Sequence, residues 1–230
     1  ENDHLYQYID SPKAQKLLVQ NMLKQKAVCF DTETTSLNEL EAELIGMSFS
    51  YKKGLAYYIP LSEKREEVLE TLEIFRPLFE KEEILKIAHN LKFDYKVLKR
   101  YGIEVQGAIF DTMIAHYLLN PDGRHGMDYL SEIYLNYKPV SIETLIGKGK
   151  NQVTLREVSI EEQTNYAAED ADITWQLYEL FAPQIQKENL QDLFYKVEMP
   201  LMKVLAKMEL EGVSLDKNWL AQESKDLEND

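Results

Sequence analysis

The feature that most constrains this chain is a set of four carboxylates held in three segments that lie far apart in the sequence. VCFDTETTSL carries Asp31 and Glu33, AHNLKFDYKVL carries Asp94, and NYAAEDAD carries Asp170, with Tyr166 four residues before it. Acidic side chains that converge repel one another. At ~4 Å each pair costs about 1 kcal/mol in water and about 4 kcal/mol at an effective dielectric of about 20. A fold that gathers them requires divalent cations, and hard oxygen ligands select Mg²⁺ or Mn²⁺.

The local patterns place these acidic residues where they can converge. Asp31 and Glu33 stand two apart at the end of an apolar strand, so both side chains point to one face. Tyr166 and Asp170 are an i, i+4 pair on one helix face. Each element alone has an ordinary explanation as a solvated or capping group, but the order and context of all three favour one common site. Because two cations flanking a phosphodiester can hydrolyse it, the pattern predicts a metal-dependent nuclease.

The apolar runs predict an α/β fold with a mixed β-sheet covered by helices. AVCFD, LIGMSFSY and LAYYIPL are typical of strands, the last two joined through KKG as a hairpin, and ILKIAH predicts a fourth strand. SEKREEVLETLEIFRPLF predicts an amphipathic helix. Asn90 is placed to cap the next helix, LKFDYKVLKRYG, which Gly102 can terminate. Further helices are predicted over DTMIAHYLL, over MDYLSEIYL and from about Ser159 to Gln186, with NPDGRHG and IGKGKNQ as loops.

The pattern changes from Glu188 onward. LFYKVEMPLMKVLAKMELEGVSLDKNWLAQESKDLEND predicts a long helix, a turn at Gly212 and the opening of another helix, ending in a charged tail. We therefore expect one domain over residues 1–187 and a C-terminal helical appendage over residues 188–230 that begins a further domain.

The net charge of −14 argues against a protein that coats nucleic acid, since phosphate contacts depend on Lys and Arg. An enzyme that grips only a strand end escapes this objection. No apolar run approaches the ~20 residues of a membrane span, so no membrane partner is expected. The single cysteine, Cys29 in AVCF, excludes a disulfide within the chain and is typical of a small buried hydrophobe. A cytoplasmic location is expected.

Taken together, the motifs resemble the proofreading 3′→5′ exonuclease domain of bacterial family A DNA polymerases, the DNA polymerase I type. FDTETTSL, HNLKFDYKVL and YAAEDADIT are similar to that family's three exonuclease motifs in order, the third in its tyrosine version. GRHGMDYLSEIYL and IGKGKNQ are similar to the sequence between the second and third motifs. VEMPLMKVLAKMELEGVSLD resembles the opening of the polymerase thumb.

The resemblance implies a ribonuclease H-like fold and a monomer acting in the bacterial cytoplasm. It also implies two partners, a single-stranded or frayed DNA 3′ end and the polymerase domain of the same parent chain.

The resemblance further implies a catalytic role for each residue of the set. Asp31, Glu33 and Asp170 would ligate the first of two cations. Asp31 would bridge to the second, which Asp94 would hold directly or through water. Mg²⁺ or Mn²⁺ is expected at both positions, with Zn²⁺ as an alternative at one. Tyr166 and Glu33 would orient the attacking water, because a tyrosine pKa near ~10 favours positioning over service as a general base.

Five residues are implied as contacts to the DNA strand. Leu37 would wedge near the terminal base and Met127 would pack against a base, with core packing as the alternative for both. Asn90 and Lys92 would approach the strand, and Arg124 would contact a phosphate.

Two positions depart from the family pattern. His89 and Ile142 stand where relatives carry Gln and an aromatic residue, and the lost aromatic ring would weaken the grip on a single strand.

Other charged residues in these segments are expected outside the site. Glu169 and Asp172 do not share the helix face of Tyr166 and Asp170, so we expect them to be solvated or salt-bridged. His116 is expected in the core, on an apolar helix face.

Two other functions stay open at this point. A catalytically silent exonuclease-fold scaffold that supports a polymerase predicts the loss of a metal ligand, and none is lost. An exonuclease that trims RNA 3′ ends would use the same motifs, and the thumb-like C-terminal segment argues against it.

Overall fold

The computed structural model describes residues 4–149 and 152–229, and among them it shows a six-stranded mixed sheet flanked by helices. The strands are β1 Leu5–Tyr8, β2 Ala27–Thr34, β3 Leu44–Lys52, β4 Leu55–Pro60, β5 Leu85–Ala88 and β6 Ile109–Asp111. The helices are α1 Pro12–Met22, α2 Arg65–Glu80, α3 Leu91–Arg100, α4 Thr112–Leu119, α5 Met127–Leu130, α6 Ile142–Ile146, α7 Ile160–Lys187, α8 Gln191–Leu193, α9 Met199–Glu211 and α10 Lys217–Asn229. The predicted mixed sheet with helical cover is confirmed.

The strand order places β2 inside the sheet. The order is β1-β4-β3-β2-β5-β6, so β2 lies between β3 and β5. The β3–β4 pair is antiparallel, as the KKG hairpin predicts, and so is β2–β3, while β1–β4, β2–β5 and β5–β6 are parallel. The pairing with β5 ends at Cys29, so the acidic end of β2, from Asp31 to Glu33, is paired only with β3 among the described strands.

Alternation along β2 assigns the helices to opposite faces of the sheet. Phe30 points to one face, where its ring packs edge-on against Phe79 of α2 at 5.2 Å. Its neighbour Asp31 points to the other face and meets Asp170 of α7. The sheet is thus buried between α2 and α7, and Cys29 lies fully buried in this core, as its apolar context predicts.

The structure adds elements that the sequence patterns do not indicate, among them β1, β6, α1 and α6. The two strands have only four and three residues, too few to display an alternation. Helix α1 was missed although Ser11 accepts a hydrogen bond from the Ala14 amide and Pro12 follows it, a recognisable helix start. Strands β1 and β6 extend the predicted four-stranded sheet, one on each edge.

The expectation that Asn90 caps α3 with its side chain is wrong. Asn90 does occupy the position before the helix, but its backbone is left-handed (φ 60°) and its side chain makes no capping hydrogen bond. Asp111, from the end of β6, accepts from the amides of Asn90 and Leu91 at 3.2 and 2.8 Å and also caps α4. One carboxylate from a neighbouring strand therefore replaces the local cap.

Other predicted boundaries hold. Helix α7 begins after Ser159 and ends at Lys187, and Gly102 follows α3 with φ +77°. By contrast, the helix predicted over SEKREEVLETLEIFRPLF begins at Arg65 and not at Ser62, its first predicted residue. MDYLSEIYL is helical, with a π-helical turn over Ser131–Leu135 after α5. In the predicted loop IGKGKNQ, residues 150 and 151 lie outside the described residues.

The first part of the segment after Glu188 packs against the hydrophobic core, and α10 at its end is largely exposed. A π-helical turn over Phe194–Glu198 joins α8 to α9, and Phe194, Met199 and Met202 belong to the same hydrophobic core as the sheet. Beyond the turn at Gly212 (φ +75°), Trp219 of α10 is exposed. The division at residues 187 and 188 stays a prediction. Among the described residues no helix has the length and apolarity needed to span a membrane.

Candidate active site

Three secondary-structure elements bring the predicted carboxylates together. Asp31 and Glu33 extend from one face of β2, and Asp170 extends from α7, which crosses that face. One carboxylate oxygen from each of the three lies within 4.8 Å of the other two. Asp170 is buried, whereas Asp31 and Glu33 are half-buried and open to a cleft. Such a set of oxygen donors can hold a divalent cation.

The fourth carboxylate, Asp94, reaches the site from α3 and is held by Thr32. Asp94 is only 2% exposed, and one of its oxygens accepts from both the Thr32 amide at 3.1 Å and the Thr32 hydroxyl at 2.5 Å. Thr32 lies between Asp31 and Glu33 and points to the opposite face of β2. Sequence reasoning missed this residue, although its place between two acids in FDTET was a usable signal.

Burial raises the pKa of every carboxyl group in the set, and repulsion by neighbouring acids adds to it for three of them. Loss of water contact raises the pKa of Asp31 from 3.8 to about 7. Desolvation, followed by the charge of neighbouring acids, raises the pKa values of Glu33, Asp94 and Asp170 well above their ordinary range. In the protein alone, four ionised groups at this place are unfavourable.

A buried oxygen of Glu33 that lacks a hydrogen-bond partner in the described part of the chain favours the binding of a cation beside the carboxylates. The Glu33 Oε1 atom is buried and has no hydrogen-bond partner among the described residues. A buried acceptor without a partner costs about 1–3 kcal/mol. A cation ligated there would satisfy this oxygen and also relieve the repulsion that raises the pKa values. The residues therefore fit one or more divalent ions.

Tyr166 lies beside Asp170 on the same face of α7. Burial, then the charges of Asp170 and Glu33, raises the pKa of the Tyr166 hydroxyl far above its ordinary value of 10.0. The hydroxyl consequently stays protonated in the metal-free protein and can orient a neighbouring group by hydrogen bonding.

The carboxylates and Tyr166 lie at a cleft of about 870 Å³. Part of its wall comes from the loop after β2, including Leu37, whose side chain is 91% exposed. Another part comes from the chain between α5 and α7, where α6 supplies Ile142 and Ile146. His89, Asn90 and Phe93 complete the wall at the start of α3.

The five residues proposed to contact DNA fall into two groups. Leu37 and Asn90 line the cleft, and the high exposure of Leu37 rules out core packing for that side chain. Among the described residues, Lys92, Arg124 and Met127 are not part of the cleft lining. Lys92 pairs with Glu209 of α9 at 2.6 Å. Arg124 is exposed, and Met127 packs against the core, where its sulfur accepts from the Thr174 hydroxyl at 3.4 Å.

The expectation that Glu169 and Asp172 are solvated or salt-bridged is wrong. Both are buried, at 5% and 4% exposure, and neither has an ion-pair partner among the described residues. Glu169 accepts from the Tyr137 hydroxyl and from the Val140 amide, and Asp172 accepts from a tyrosine hydroxyl and the Gly54 amide. The expectation failed because α7 is covered on more than one side, so residues off the active face are also buried.

Two histidines, His116 and His125, contact each other away from the cleft, whereas His89 lines it. His116 is buried, as expected, and its two ring nitrogens face His125 at 2.7 Å and the Tyr134 hydroxyl at 3.1 Å. Burial lowers the pKa of His89 to about 4, so this cleft residue is neutral at pH 7.

Comparison with known proteins identifies a family. A family model described as 3′-5′ exonuclease matches residues 6–186. The DNA polymerase I of Borreliella burgdorferi is 39% identical over 206 residues, covering 88% of this chain, and that of Rhizobium leguminosarum is 38% identical, covering 87%. The chain spans 22% of the length of each of these relatives.

Solved structures share the fold. NrnC from Brucella melitensis has a TM-score of 0.70 and 21% identity, covering 90% of this chain and 93% of its own. The POL domain of an M. smegmatis polymerase, in complex with DNA primer-template and dNTP, has a TM-score of 0.78 and 16% identity, covering 97% and 35%. The catalytic core of RRP6 from Trypanosoma brucei has a TM-score of 0.68 and 18% identity, covering 86% and 52%. These likenesses confirm the ribonuclease H-like exonuclease fold.

Proposed function

Because the chain belongs to the family of 3′-5′ exonuclease domains found in DNA polymerase I, we propose that it removes nucleoside 5′-monophosphates from DNA 3′ ends by two-metal-ion hydrolysis. The observation that carries the proposal is the meeting of Asp31, Glu33 and Asp170 within 4.8 Å at the bottom of an open cleft. The substrate is a single-stranded or frayed 3′ end, and the working partner is a polymerase domain of the parent chain.

Each carboxylate has a place in this mechanism. Asp31, Glu33 and Asp170 would hold one Mg²⁺ or Mn²⁺, and Asp94 with Asp31 would hold a second, with Zn²⁺ as an alternative at one position. When bound, such cations lower the pKa of a coordinated water and stabilise the charge that develops on the phosphate. Thr32 keeps Asp94 aimed at the site through its two hydrogen bonds.

Tyr166 and Glu33 orient the water that attacks the terminal phosphodiester. A tyrosine hydroxyl, with an ordinary pKa near ~10, keeps its proton at neutral pH, so Tyr166 donates or accepts a hydrogen bond and does not remove a proton. Tyr166→Phe should slow turnover about tenfold and leave metal affinity unchanged. Calorimetric titration with Mn²⁺ beside single-turnover kinetics measures both, and a loss of metal affinity would contradict the positioning role.

The two alternatives differ from the proposal in testable ways. A silent scaffold has no need of all four carboxylates, yet the chain keeps them and folds three of them together. An RNA-trimming enzyme would favour an RNA 3′ end over a DNA end of the same sequence.

The first experiment is degradation of a 5′-labelled single-stranded DNA with Mg²⁺ or Mn²⁺, beside an RNA of equal sequence. Controls are EDTA and Asp170→Ala. We expect a ladder that shortens from the 3′ end, faster for DNA than for RNA, and absent in both controls. Faster RNA trimming would overturn the substrate assignment, and cleavage that persists in Asp170→Ala would overturn the mechanism.

A further inference from the structure

Helix α7 carries two buried acidic residues, Glu169 and Asp172, that lie outside the carboxylate set. Each accepts one hydrogen bond from a tyrosine hydroxyl and one from a backbone amide. For Asp172 the donors are Tyr6 at 3.0 Å and the Gly54 amide at 2.8 Å. For Glu169 they are the Tyr137 hydroxyl and the Val140 amide, the latter at 2.8 Å. The two residues are therefore chemically matched, and they differ in what they hold.

Glu169 holds the start of a segment that forms one wall of the cleft. We name this segment the strap, defined as residues 137–149 and 152–155. Its helix, α6, has no buried residue, so side-chain packing does little to fix the position of this helix. Yet the strap contributes a third of the described residues that line the cleft, namely Ile142, Ile146, Gly149, Gln152, Val153, Thr154 and Leu155.

The far end of the strap has its own anchor. Arg156 donates to the carbonyl oxygens of Leu61 at 2.7 Å and of Leu44 and Ser62 at 3.1 Å. The strap is thus fixed by a buried carboxylate at one end and a guanidinium at the other. Hydrogen bonds from a charged guanidinium are roughly twice as strong as neutral ones, which suits Arg156 to this task.

We propose that Glu169 is a positioning residue for substrate binding, because it fixes the strap and thereby sets the shape of the cleft beside the carboxylates. Val140 stands two residues before Ile142, so release of its amide would loosen the first cleft-lining residue of α6 directly. The proposal rests on the proposed function, since it assigns the cleft to a DNA 3′ end.

A direct catalytic role is disfavoured by position. Glu169 is not among the described residues that line the cleft, although its neighbour Asp170 is. Adjacent residues on an α-helix point about 100° apart. Both Glu169 oxygens are also occupied by the strap. We therefore assign its influence on substrate binding to the strap.

The test compares Glu169→Ala with Asp172→Ala, each of which removes two hydrogen bonds of the same kind from the same helix. Hydrogen–deuterium exchange of peptides covering residues 137–149 reports on the strap without requiring activity. Steady-state cleavage of single-stranded DNA with Mn²⁺ gives KM and kcat. Glu169→Gln, which keeps an acceptor oxygen, is the conservative variant, and Tyr137→Phe removes one bond if Glu169→Ala does not fold.

We expect faster strap exchange and about a tenfold rise in KM for Glu169→Ala, with kcat changed less than about threefold. Glu169→Gln should recover most of the KM, Tyr137→Phe should raise it in the same direction, and Asp172→Ala should leave it unchanged. Unchanged strap exchange in Glu169→Ala or Tyr137→Phe would overturn the tether. Faster exchange with an unchanged KM, or an equal KM rise in Asp172→Ala, would overturn the positioning role. A wild-type protein that cleaves no DNA would refute the proposed function, while strap exchange would still decide the tether.

Discussion

The carboxylate set and the strap form two walls of one cleft, and they are built in opposite ways. The acids extend from β2, α3 and α7, elements whose side chains make up the hydrophobic core. The strap is a loop whose one short helix, α6, has no buried residue; it is held near its ends by hydrogen bonds and by the buried residues Pro139 and Leu155. The carboxylates are therefore positioned by the packed core of the fold, whereas the strap residues that line the cleft are positioned mainly by a few hydrogen bonds near the ends of the strap.

This difference has a physical reason. Ligands of a cation must hold positions to within a few tenths of an ångström against their own repulsion, which only buried elements can enforce. A wall that meets different bases needs less rigidity, and loops on a rigid scaffold commonly carry such contacts.

The largest effect is expected from a substitution in the carboxylate set. Asp170→Asn should reduce kcat by about 10³-fold, because it removes a ligand charge from the cation site. The fold should persist, since the variant also removes repulsion between buried acids. Asp172→Asn is the matched control on the same helix and should retain activity. Quench-flow cleavage rates and circular dichroism measure the two properties, and near wild-type turnover in Asp170→Asn would contradict the ligand assignment.

A smaller effect should follow from adding the cation itself. Mn²⁺ at about 100 times its dissociation constant should stabilise the wild-type protein by about 2.7 kcal/mol. For a protein of this size that corresponds to a rise in Tm of about 5–10 °C. Calorimetry with and without EDTA measures it. Asp31→Asn should lose most of the rise, and Glu169→Ala should keep it, because the strap holds no ligand.

The pH dependence of the free energy of unfolding tests whether the carboxylates are buried without a cation. In EDTA, the raised pKa of Asp31 means that this residue binds more protons in the folded than in the unfolded state from about pH 4 to pH 7, and the raised pKa values of Glu33, Asp94 and Asp170 act in the same direction. The free energy of unfolding contributed by these groups therefore falls as the pH rises through this window.

Ion-paired acids such as Glu39 and Glu209, whose pKa values are lowered by Lys96 and Lys92, act in the opposite direction. The measurement is therefore the difference between wild type and Asp31→Asn. Scanning calorimetry at pH 5 and pH 7.5 should show that the variant loses less stability, or gains more, over this interval. An identical pH response in the two proteins would contradict the burial of Asp31.

The smallest effect is expected at the loop after β2, which carries Leu37. Leu37→Ala should raise KM by about three- to tenfold, in keeping with the burial of one leucine against a base. Because Leu37 is 91% exposed, Tm should stay within about 1 °C of wild type. Thermal melts and cleavage kinetics check both, and a marked loss of Tm would show that this side chain packs in the fold.

Much of the fold and the core of the site could be predicted from local patterns. The strands AVCFD and LIGMSFSY and the long helix after Ser159 were recognisable because their apolar periods are long enough to read. Short elements such as β1 and β6 were not, since they exist only as partners of neighbouring strands. The contacts of Lys92 and Met127 were also out of reach, because both are made with residues distant in the chain.

Spacing along β2 and α7 fixes, from the sequence alone, that Asp31 shares a face with Glu33, and Tyr166 with Asp170, because the periods of strand and helix are set locally. Only the tertiary structure decided what surrounds them. It placed Thr32 against Asp94, Asp111 at the start of α3, and Glu169 against the strap. Each of these contacts joins groups that are far apart in sequence, and a buried carboxylate takes whichever donors the packing of distant elements brings to it.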